Sequence, residues 1–207
     1  KLPKSKEYKK LAISCIAEKD ELSIDKLDKI NPRYIFFPHW SWKVEPEIYE
    51  RYECIAFHTA PLPFGRGGSP IQNLILRGFE ESPVCALRMN ATLDSGPIYL
   101  KKEVRLDGNL DEIFTRIARY IEEMIINICE NNPVPVKQEG NSYTFKRLTY
   151  DDNELESSLS LKEIYDRIRM VDGDCYQNSY INFGEYKIEF KHAEINNNEI
   201  LAKVRLF

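Results

Sequence analysis

Several features that define common protein classes are scarce or missing in this chain of 207 residues. Its longest apolar runs, such as residues 34–37, are far too short to span a bilayer, and no secretory signal is visible. The five cysteines are odd in number, lie far apart and include no Cys-x-x-Cys pair, which indicates reduced thiols in a cytoplasmic protein. Only three histidines are present and none lies at ligand spacing from a cysteine, so we expect no metal site.

An excess of positive charge is also missing. The net charge is −4, and acidic and basic residues are mixed along the chain. A protein that mainly binds nucleic acid usually shows a basic stripe, and the C-terminal bases are offset by neighbouring acids. These residues are Lys187, Lys191, Lys203 and Arg205 against Glu185, Glu189, Glu194 and Glu199. We therefore do not expect nucleic acid as a partner, and the short apolar runs lead us to expect no membrane partner either. The composition is that of an ordinary globular protein.

The sequence does contain a regular alternation of short apolar strands and helices. Strands are predicted at residues 11–17, 34–37, 54–58, 84–89 and 98–104, and helices at residues 22–30, 46–52, 71–77 and 109–127. This order predicts an α/β fold with a Rossmann-like, doubly wound and mainly parallel sheet. Ligands of such sheets bind beyond the carboxyl ends of the strands, where His39 and His58 fall.

The pattern changes after residue 131. A rigid Asn-Pro-Val-Pro connection is followed by a predicted edge strand at residues 142–147 and a polar, acidic linker at residues 151–160. A helix at residues 161–171 precedes short strand-like runs at residues 180–183, 186–190, 193–195 and 200–206. We therefore predict an α/β domain over residues 1–150 and a small C-terminal, β-rich appendage with one helix over residues 151–207.

His58 ends an apolar strand and is followed at once by a loop rich in glycine and proline. Within ten residues the loop contains Pro61, Pro63, Gly65, Gly67, Gly68 and Pro70. Glycines let backbone N–H groups approach a ligand closely, and Arg66 could hold an anionic group there. A tight crossover turn with a solvated arginine is the alternative, but the coincidence of these residues at one strand end favours a group-transfer site.

Two further segments supply candidate site residues. Asp94 lies in the turn Leu-Asp-Ser-Gly-Pro, one short α/β unit after His58, and a carboxylate beside a histidine stabilises its protonated ring. The only two tryptophans, Trp40 and Trp42, follow the strand at residues 34–37 together with His39. They could form the wall of a pocket for a flat heterocycle, or pack the loop onto the core, and the sequence leaves both options open.

These segments resemble the formyltetrahydrofolate-dependent formyltransferases. That family's signature is Asn-x-His, then Ser-Leu-Leu-Pro, then Arg-Gly and a proline that opens a helix, which residues 58–70 resemble. Residues 94–98 resemble the family's Asp-x-Gly-x-Ile motif. The resemblance covers residues 31–120 and, more faintly, residues 161–180, which are similar to the small C-terminal domain of methionyl-tRNA formyltransferases and sugar N-formyltransferases.

The resemblance implies that a formyl group passes from N10-formyltetrahydrofolate to a primary amine. It implies His58 as general base or oxyanion stabiliser, with Asp94 orienting it. The residues that it implies at the folate and at the mouth of the site are His39, Trp40, Trp42, Gly65, Arg66, Gly67, Gly68 and Pro70. We expect a nucleotide-linked amino sugar as acceptor, with methionyl-tRNA as the alternative. Whether the C-terminal part binds nucleotide, forms a homodimer or caps the core stays open.

Two departures from the family pattern give rise to a third hypothesis. Ala56 stands where the family has asparagine, and loss of an oxyanion donor typically lowers a rate by ~10²–10³. Thr59 or Asn73 could supply the missing group; otherwise the chemistry differs, or the chain is a non-catalytic binding module that keeps the fold. The first strand and its glycine turn, expected before Leu11, are not recognisable. Since the chain begins at Lys1 without methionine, we expect a trimmed N-terminus.

Overall fold

The computed structural model of the chain describes residues 11–207. The helices are α1 (Ile24–Ile30), α2 (Pro46–Arg51), α3 (Pro70–Ile75), α4 (Leu110–Asn131) and α5 (Leu161–Arg169). The strands are β1 (Ile35–Phe37), β2 (Cys54–Thr59), β3 (Phe64–Gly67), β4 (Glu81–Arg88), β5 (Ile98–Arg105), β6 (Tyr143–Phe145), β7 (Ser179–Phe183), β8 (Tyr186–Ile195) and β9 (Ile200–Leu206). Most predicted elements are therefore confirmed to within a few residues.

The main sheet contains four strands in the order β1-β2-β4-β5. The α/β class with a C-terminal β-rich part is confirmed, but the strand directions require a correction. Within residues 11–207 the only parallel pair of this sheet is β1 with β2, and β4 runs antiparallel to both of its neighbours. The short connection from β4 to β5 accounts for the second of these pairs, because a turn returns the chain antiparallel whereas a parallel neighbour needs a long crossover. The connection from β2 to β4 contains β3 and α3, so the direction of that pair has no such local cause.

The strand predicted at residues 11–17 is wrong. The backbone there is irregular and most of the side chains are exposed. Its apolar residues make contacts from the surface, Leu11 with the main core and Ile16 with a smaller cluster beside α1. At the other end of the chain, the runs at residues 186–190 and 193–195 are one strand, β8, with an irregularity in its pairing between Lys191 and Glu194.

The main core lies between the sheet and the helices α3 and α4. Helix α4 begins with a capping box between Asn109 and Glu112, and its buried residues repeat at the helical period. They are Leu110, Ile113, Ile117, Ile121, Met124, Ile125 and Ile128. A smaller cluster packs α1 and α2 against β1 and contains Leu27, Phe37, Val44, Ile48 and Cys54. The two clusters lie on opposite faces of β1, since Ile35 and Phe37 belong to the smaller cluster and Phe36 packs against the main core.

The glycine-rich loop contains a strand that sequence reasoning misses. Strand β3 pairs in parallel with β6, with Phe64 opposite Tyr143 and Gly67 opposite Phe145, to make a separate two-stranded sheet. Glycine is a poor strand former, so two glycines among four residues gave no local signal for β3. The pairing brings the loop after His58 against a segment that follows it by about eighty residues.

Buried polar contacts join the C-terminal part to the α/β part. Helix α5 packs against β8 of the antiparallel sheet β7-β8-β9. At the end of α5, the buried Arg169 pairs with Asp166 at 2.6 Å and donates to the carbonyl oxygens of Leu106 and Gly108. From α3, the Gln72 amide donates to the Met170 carbonyl at 3.2 Å. A buried arginine that binds backbone carbonyls fixes where α5 lies on the α/β part.

Candidate active site

His58 is the next-to-last residue of β2, and its side chain is buried. Its Nε2 lies 2.7 Å from the carbonyl oxygen of Gly65, and its Nδ1 lies 3.5 Å from Asp94 Oδ2. A carbonyl oxygen can only accept, so Nε2 has the hydrogen in the neutral ring and Nδ1 has the free lone pair. The basic nitrogen of His58 therefore faces the Asp94 carboxylate, and the structure brings the two predicted residues together.

The turn that holds Asp94 lies tightly against β4. Asp94 has φ +51°, in the left-handed region that aspartate tolerates better than most residues. A Cβ at Gly96 would lie 1.7 Å from the carbonyl oxygen of Arg88, so only glycine allows this approach. The Asp94 carboxylate is further held by the backbone N–H of Gly67, which donates to Oδ2 at 2.9 Å. Both ends of the His58–Asp94 pair are thus anchored by the glycine-rich segment.

Residues of β6 and the segment after it occupy the space beside the glycines of the glycine-rich segment. A Cβ at Gly65 would lie 2.7 Å from the Phe145 ring, and one at Gly68 would lie 2.5 Å from Arg147 Cβ. Pro70 begins helix α3, as predicted, with Ser69 as its N-cap residue. Close packing against β6 and Arg147 therefore explains these glycines without a ligand, and their contact with a cofactor stays a prediction.

Arg66 does not stand free at the site. Its Nε and Nη2 donate to Gln138 Oε1 at 3.2 and 2.7 Å. The Gln138 amide nitrogen in turn donates to the carbonyl oxygens of Asp94 and Gly96 at 2.8 and 2.9 Å. Sequence reasoning missed Gln138, because its partners lie 42 to 72 residues away and no local pattern marks such a residue.

The predicted aromatic residues lie beyond the carboxyl end of β1, at the sheet edge that also holds His58. The rings of Trp40 and Trp42 meet edge to face at 4.8 Å, and Trp40 also contacts Phe37. Trp42 is 44% exposed, whereas the indole N–H of Trp40 is buried and has no hydrogen-bond partner within residues 11–207. His39 is exposed and places its ring against Phe114 at 5.3 Å. The two tryptophans therefore pack their loop against β1, and the indole N–H of Trp40 is left as a donor without an acceptor within residues 11–207.

Neither substitute for the missing asparagine has a free side chain on the correct face. Asn73 donates to the carbonyl oxygens of Gly68, Ser69 and Lys146, so its amide holds the loop. Thr59 follows His58 directly and therefore points to the opposite face of β2, while Ala56 shares the face of His58. Cys85 lies opposite His58 on β4, and burial raises the pKa of its thiol to about 11, so it stays protonated at neutral pH.

A surface cleft of about 510 Å³ lies away from this site. It is lined by residues that precede β1 and β2, among them Asn31, Arg33, Arg51 and Glu53, and it contains neither His58 nor Asp94. Within residues 11–207 no group of three or more histidine, cysteine, aspartate or glutamate side chains is arranged to hold a metal ion. No helix in the same range is both long enough and apolar enough to cross a membrane.

The pairing of β8 with β9 sorts the C-terminal charges onto faces. Lys191 lies directly opposite Lys203, and Glu189 lies opposite Arg205. Alternate residues of a strand share a face with their cross-strand partners, so one face has four bases and one acid over three successive rows. They are Lys187, Lys191, Lys203, Arg205 and Glu189. Two of the offsetting acids, Glu185 and Glu199, lie in turns instead, so β8 and β9 have a basic stripe. Beside this stripe, Glu154 accepts from Asn182, the partner of Lys187 on β7.

Most of the chain matches known proteins, and its C-terminal part also matches a family model. The C-terminal domain of methionyl-tRNA formyltransferase matches residues 150–207. A solved methionyl-tRNA formyltransferase from Clostridium thermocellum is 42% identical, has a TM-score of 0.90, and the match covers 93% of this chain and 85% of that one. The chain belongs to the formyltransferase family.

Two further formyltransferases show how much of a relative's length this chain covers and which likeness is limited to the fold. The curated methionyl-tRNA formyltransferase of Rickettsia felis is 29% identical over 188 residues, which cover 87% of this chain. This formyltransferase chain spans 61% of the length of that relative. A sugar N-formyltransferase from a Shewanella species is 16% identical, with a TM-score of 0.67, and the match covers 85% of this chain and 76% of that one. At that identity the likeness shows the fold alone.

Proposed function

We propose that the protein transfers a formyl group from N10-formyltetrahydrofolate to the amino group of methionyl-tRNA. The observation that supports the chemistry is the buried His58–Asp94 pair, in which the basic ring nitrogen faces a carboxylate. The identity to a methionyl-tRNA formyltransferase supports this acceptor over the nucleotide-linked amino sugar that the sequence led us to expect. All five cysteines are free thiols, which supports the cytoplasm as the place of action.

In the proposed reaction, the amine nitrogen attacks the formyl carbon while His58 Nδ1 accepts the proton that the nitrogen loses. The protonated ring then donates from Nε2 to Gly65 and from Nδ1 to Asp94, so both of its hydrogens meet an acceptor. As the bond between the formyl carbon and N10 breaks, the ring returns the proton to N10. The pair thereby holds one proton at a fixed position during the transfer.

The formyl donor would bind at the carboxyl end of β1, between the tryptophan loop and His58. The supporting observation is the buried indole N–H of Trp40, which has no partner within residues 11–207. An unsatisfied buried donor raises the free energy of the empty site, and an acceptor atom of a bound heterocycle would remove that cost. We therefore propose Trp40 as a donor to the folate, with Trp42 and His39 as walls.

The acceptor tRNA would contact the basic face of the C-terminal sheet. Lys191 and Lys203 lie directly opposite each other, and like charges at paired sites destabilise a sheet. Phosphate groups placed between such lysines would relieve this repulsion and would gain the free energy of counterion release. We accordingly propose residues 1–150 as the catalytic domain and residues 151–207 as a subdomain for the acceptor.

The test is a transfer assay on the full chain with N10-formyltetrahydrofolate and either methionyl-tRNA or a panel of nucleotide-linked amino sugars. We expect formyl-methionyl-tRNA as the product and no product with His58→Ala. Formylation of a sugar nucleotide alone would refute the tRNA acceptor. Folate binding that quenches the tryptophan fluorescence, without turnover of any acceptor, would refute catalysis and support the binding module.

A second experiment tests the acceptor surface. In Lys191→Glu/Lys203→Glu we expect weaker tRNA binding and a salt dependence whose log–log slope is smaller by about 2, because two phosphate contacts are lost. The matched control is Lys19→Glu/Lys29→Glu, which changes the charge equally at exposed positions near α1. Equal slopes in the two double variants would contradict a tRNA contact at the basic face.

A further inference from the structure

Gln138 lies at the centre of a closed network around the Asp94 turn. Its amide nitrogen donates to the carbonyl oxygens of Asp94 and Gly96, which flank the tip of the turn. Its amide oxygen accepts two hydrogen bonds from Arg66 of β3. The next residue of β3, Gly67, donates its backbone N–H to the Asp94 carboxylate. The main chain and the side chain of Asp94 are therefore both tied to β3, one directly and one through Gln138.

The chemistry of the partners fixes the orientation of this amide. Arginine can only donate and the two carbonyl oxygens can only accept, so a flipped Gln138 would place like groups against each other on both sides. The backbone around Gln138 is also held, because Val136 exchanges two backbone hydrogen bonds with Ile98 at 2.8 and 2.9 Å. Gln138 thus reaches the turn from a fixed point on the edge of β5.

We propose that Gln138 is a positioning residue for the reaction, acting through Asp94 to keep its carboxylate beside His58. The proposal rests on the formyl transfer proposed above. The Asp94–His58 separation of 3.5 Å leaves little room for error, since the carboxylate must reach the Nδ1 hydrogen of the protonated ring. Misplacement of a catalytic group by about 1 Å can lower a rate by ~10²-fold.

Three substitutions separate this role from simple packing. Gln138→Met keeps the approximate volume and removes all four hydrogen bonds, and we expect kcat to fall ~10- to 100-fold with little change in the KM for N10-formyltetrahydrofolate. Gln138→Glu retains an acceptor for Arg66 but turns an oxygen toward the two carbonyls. We expect it to be at least as harmful as methionine. The control is Glu139→Met, an exposed neighbour on the same segment, which should keep the activity of the unaltered chain.

The glutamate variant decides between two roles. If Gln138 only held Arg66 in place, Gln138→Glu would strengthen that contact and preserve kcat, which would overturn the proposal. A double-mutant cycle provides a second test. If the two residues act as one unit, adding Gln138→Met to Asp94→Asn should lower kcat less than twofold below that of Asp94→Asn alone. Full additivity of the two losses would also overturn the proposal.

A measurement without turnover keeps this inference separate from the proposed function. The backbone N–H of Gly67 should exchange with solvent deuterium at least tenfold faster in Gln138→Met than in Glu139→Met, because the Asp94 acceptor is no longer held. An unchanged exchange rate would refute the positioning role even if no acceptor were ever formylated. If Gln138→Met fails to fold, Gln138→Glu provides the same comparison.

Discussion

Replacement of Asp94 by asparagine separates the electrostatic role of this residue from its structural one. Asp94 Oδ2 accepts from Gly67 at 2.9 Å and faces His58 Nδ1 at 3.5 Å. Asparagine preserves the shape and retains an oxygen that can accept from Gly67, but it removes the negative charge beside the ring. Exchange of this charge-assisted hydrogen bond for a neutral one costs about 1–1.5 kcal/mol, which for a chain of this size corresponds to a fall in Tm of roughly 2–6 °C.

The effect of Asp94→Asn on turnover should be far larger than its effect on stability. In hydrolases with a serine–histidine–aspartate triad, the same substitution beside the histidine lowers kcat by ~10⁴. The longer separation here leads us to expect ~10³ in single-turnover formyl transfer, with unchanged folate binding. A kcat within tenfold of that of the unaltered chain would refute the reasoning. The reasoning would also be refuted if the fall in kcat were no larger than the fraction of the variant that is unfolded at the assay temperature.

Three other changes have directions that the structure sets. Ala56→Asn places an amide on the face of His58, and we expect single-turnover transfer to rise ~10²-fold; an equal rate would contradict this. Burial raises the pKa of Cys54 to about 12 and that of Cys85 to about 11, so the folded state opposes thiolate formation. The contribution of the two thiols to the urea-unfolding free energy should therefore be constant below about pH 8 and fall above it, so the fall above about pH 8 should be smaller in Cys54→Ala/Cys85→Ala. Arg169→Met should lower the free energy of unfolding by about 3–5 kcal/mol, because it removes one partner of a buried ion pair. The control is the exposed Arg205→Met, whose midpoint of urea unfolding should not change.

The parts of the fold that the sequence predicts are those with local causes. Helix α4 has seven buried residues at the helical period and an Asn109–Glu112 capping box, so its position follows from its own residues. Strand β2 and the loop after it are also predicted, because an apolar run ends where glycines and prolines begin. Strand direction is not local in this sense. The antiparallel course of β4 depends on pairing partners that no single segment specifies.

The candidate site divides in the same way. His58 and Asp94 were found from residue types and turn signals, and their proximity follows from the pairing of β2 with β4. Gln138 has no such signal, because its role exists only through contacts with residues more than 40 positions away. The basic face was missed for a related reason. Composition counts acids and bases along the chain, whereas the sheet separates them by strand alternation and by register.

The substitution at position 56 determines how the transition state must be stabilised if the proposed reaction occurs. Ala56 offers no donor, the Asn73 amide is bound to three carbonyl oxygens, and Thr59 points to the opposite face. Among residues 11–207, the polar side chain that remains beside the reaction on this face of β2 is His58. The two N–H groups of the protonated ring face Gly65 and Asp94, so the ring holds the amine proton and stabilises the oxyanion through its positive charge alone, which makes its position critical. The anchoring of Asp94 from two sides, by Gly67 and by Gln138, meets that requirement.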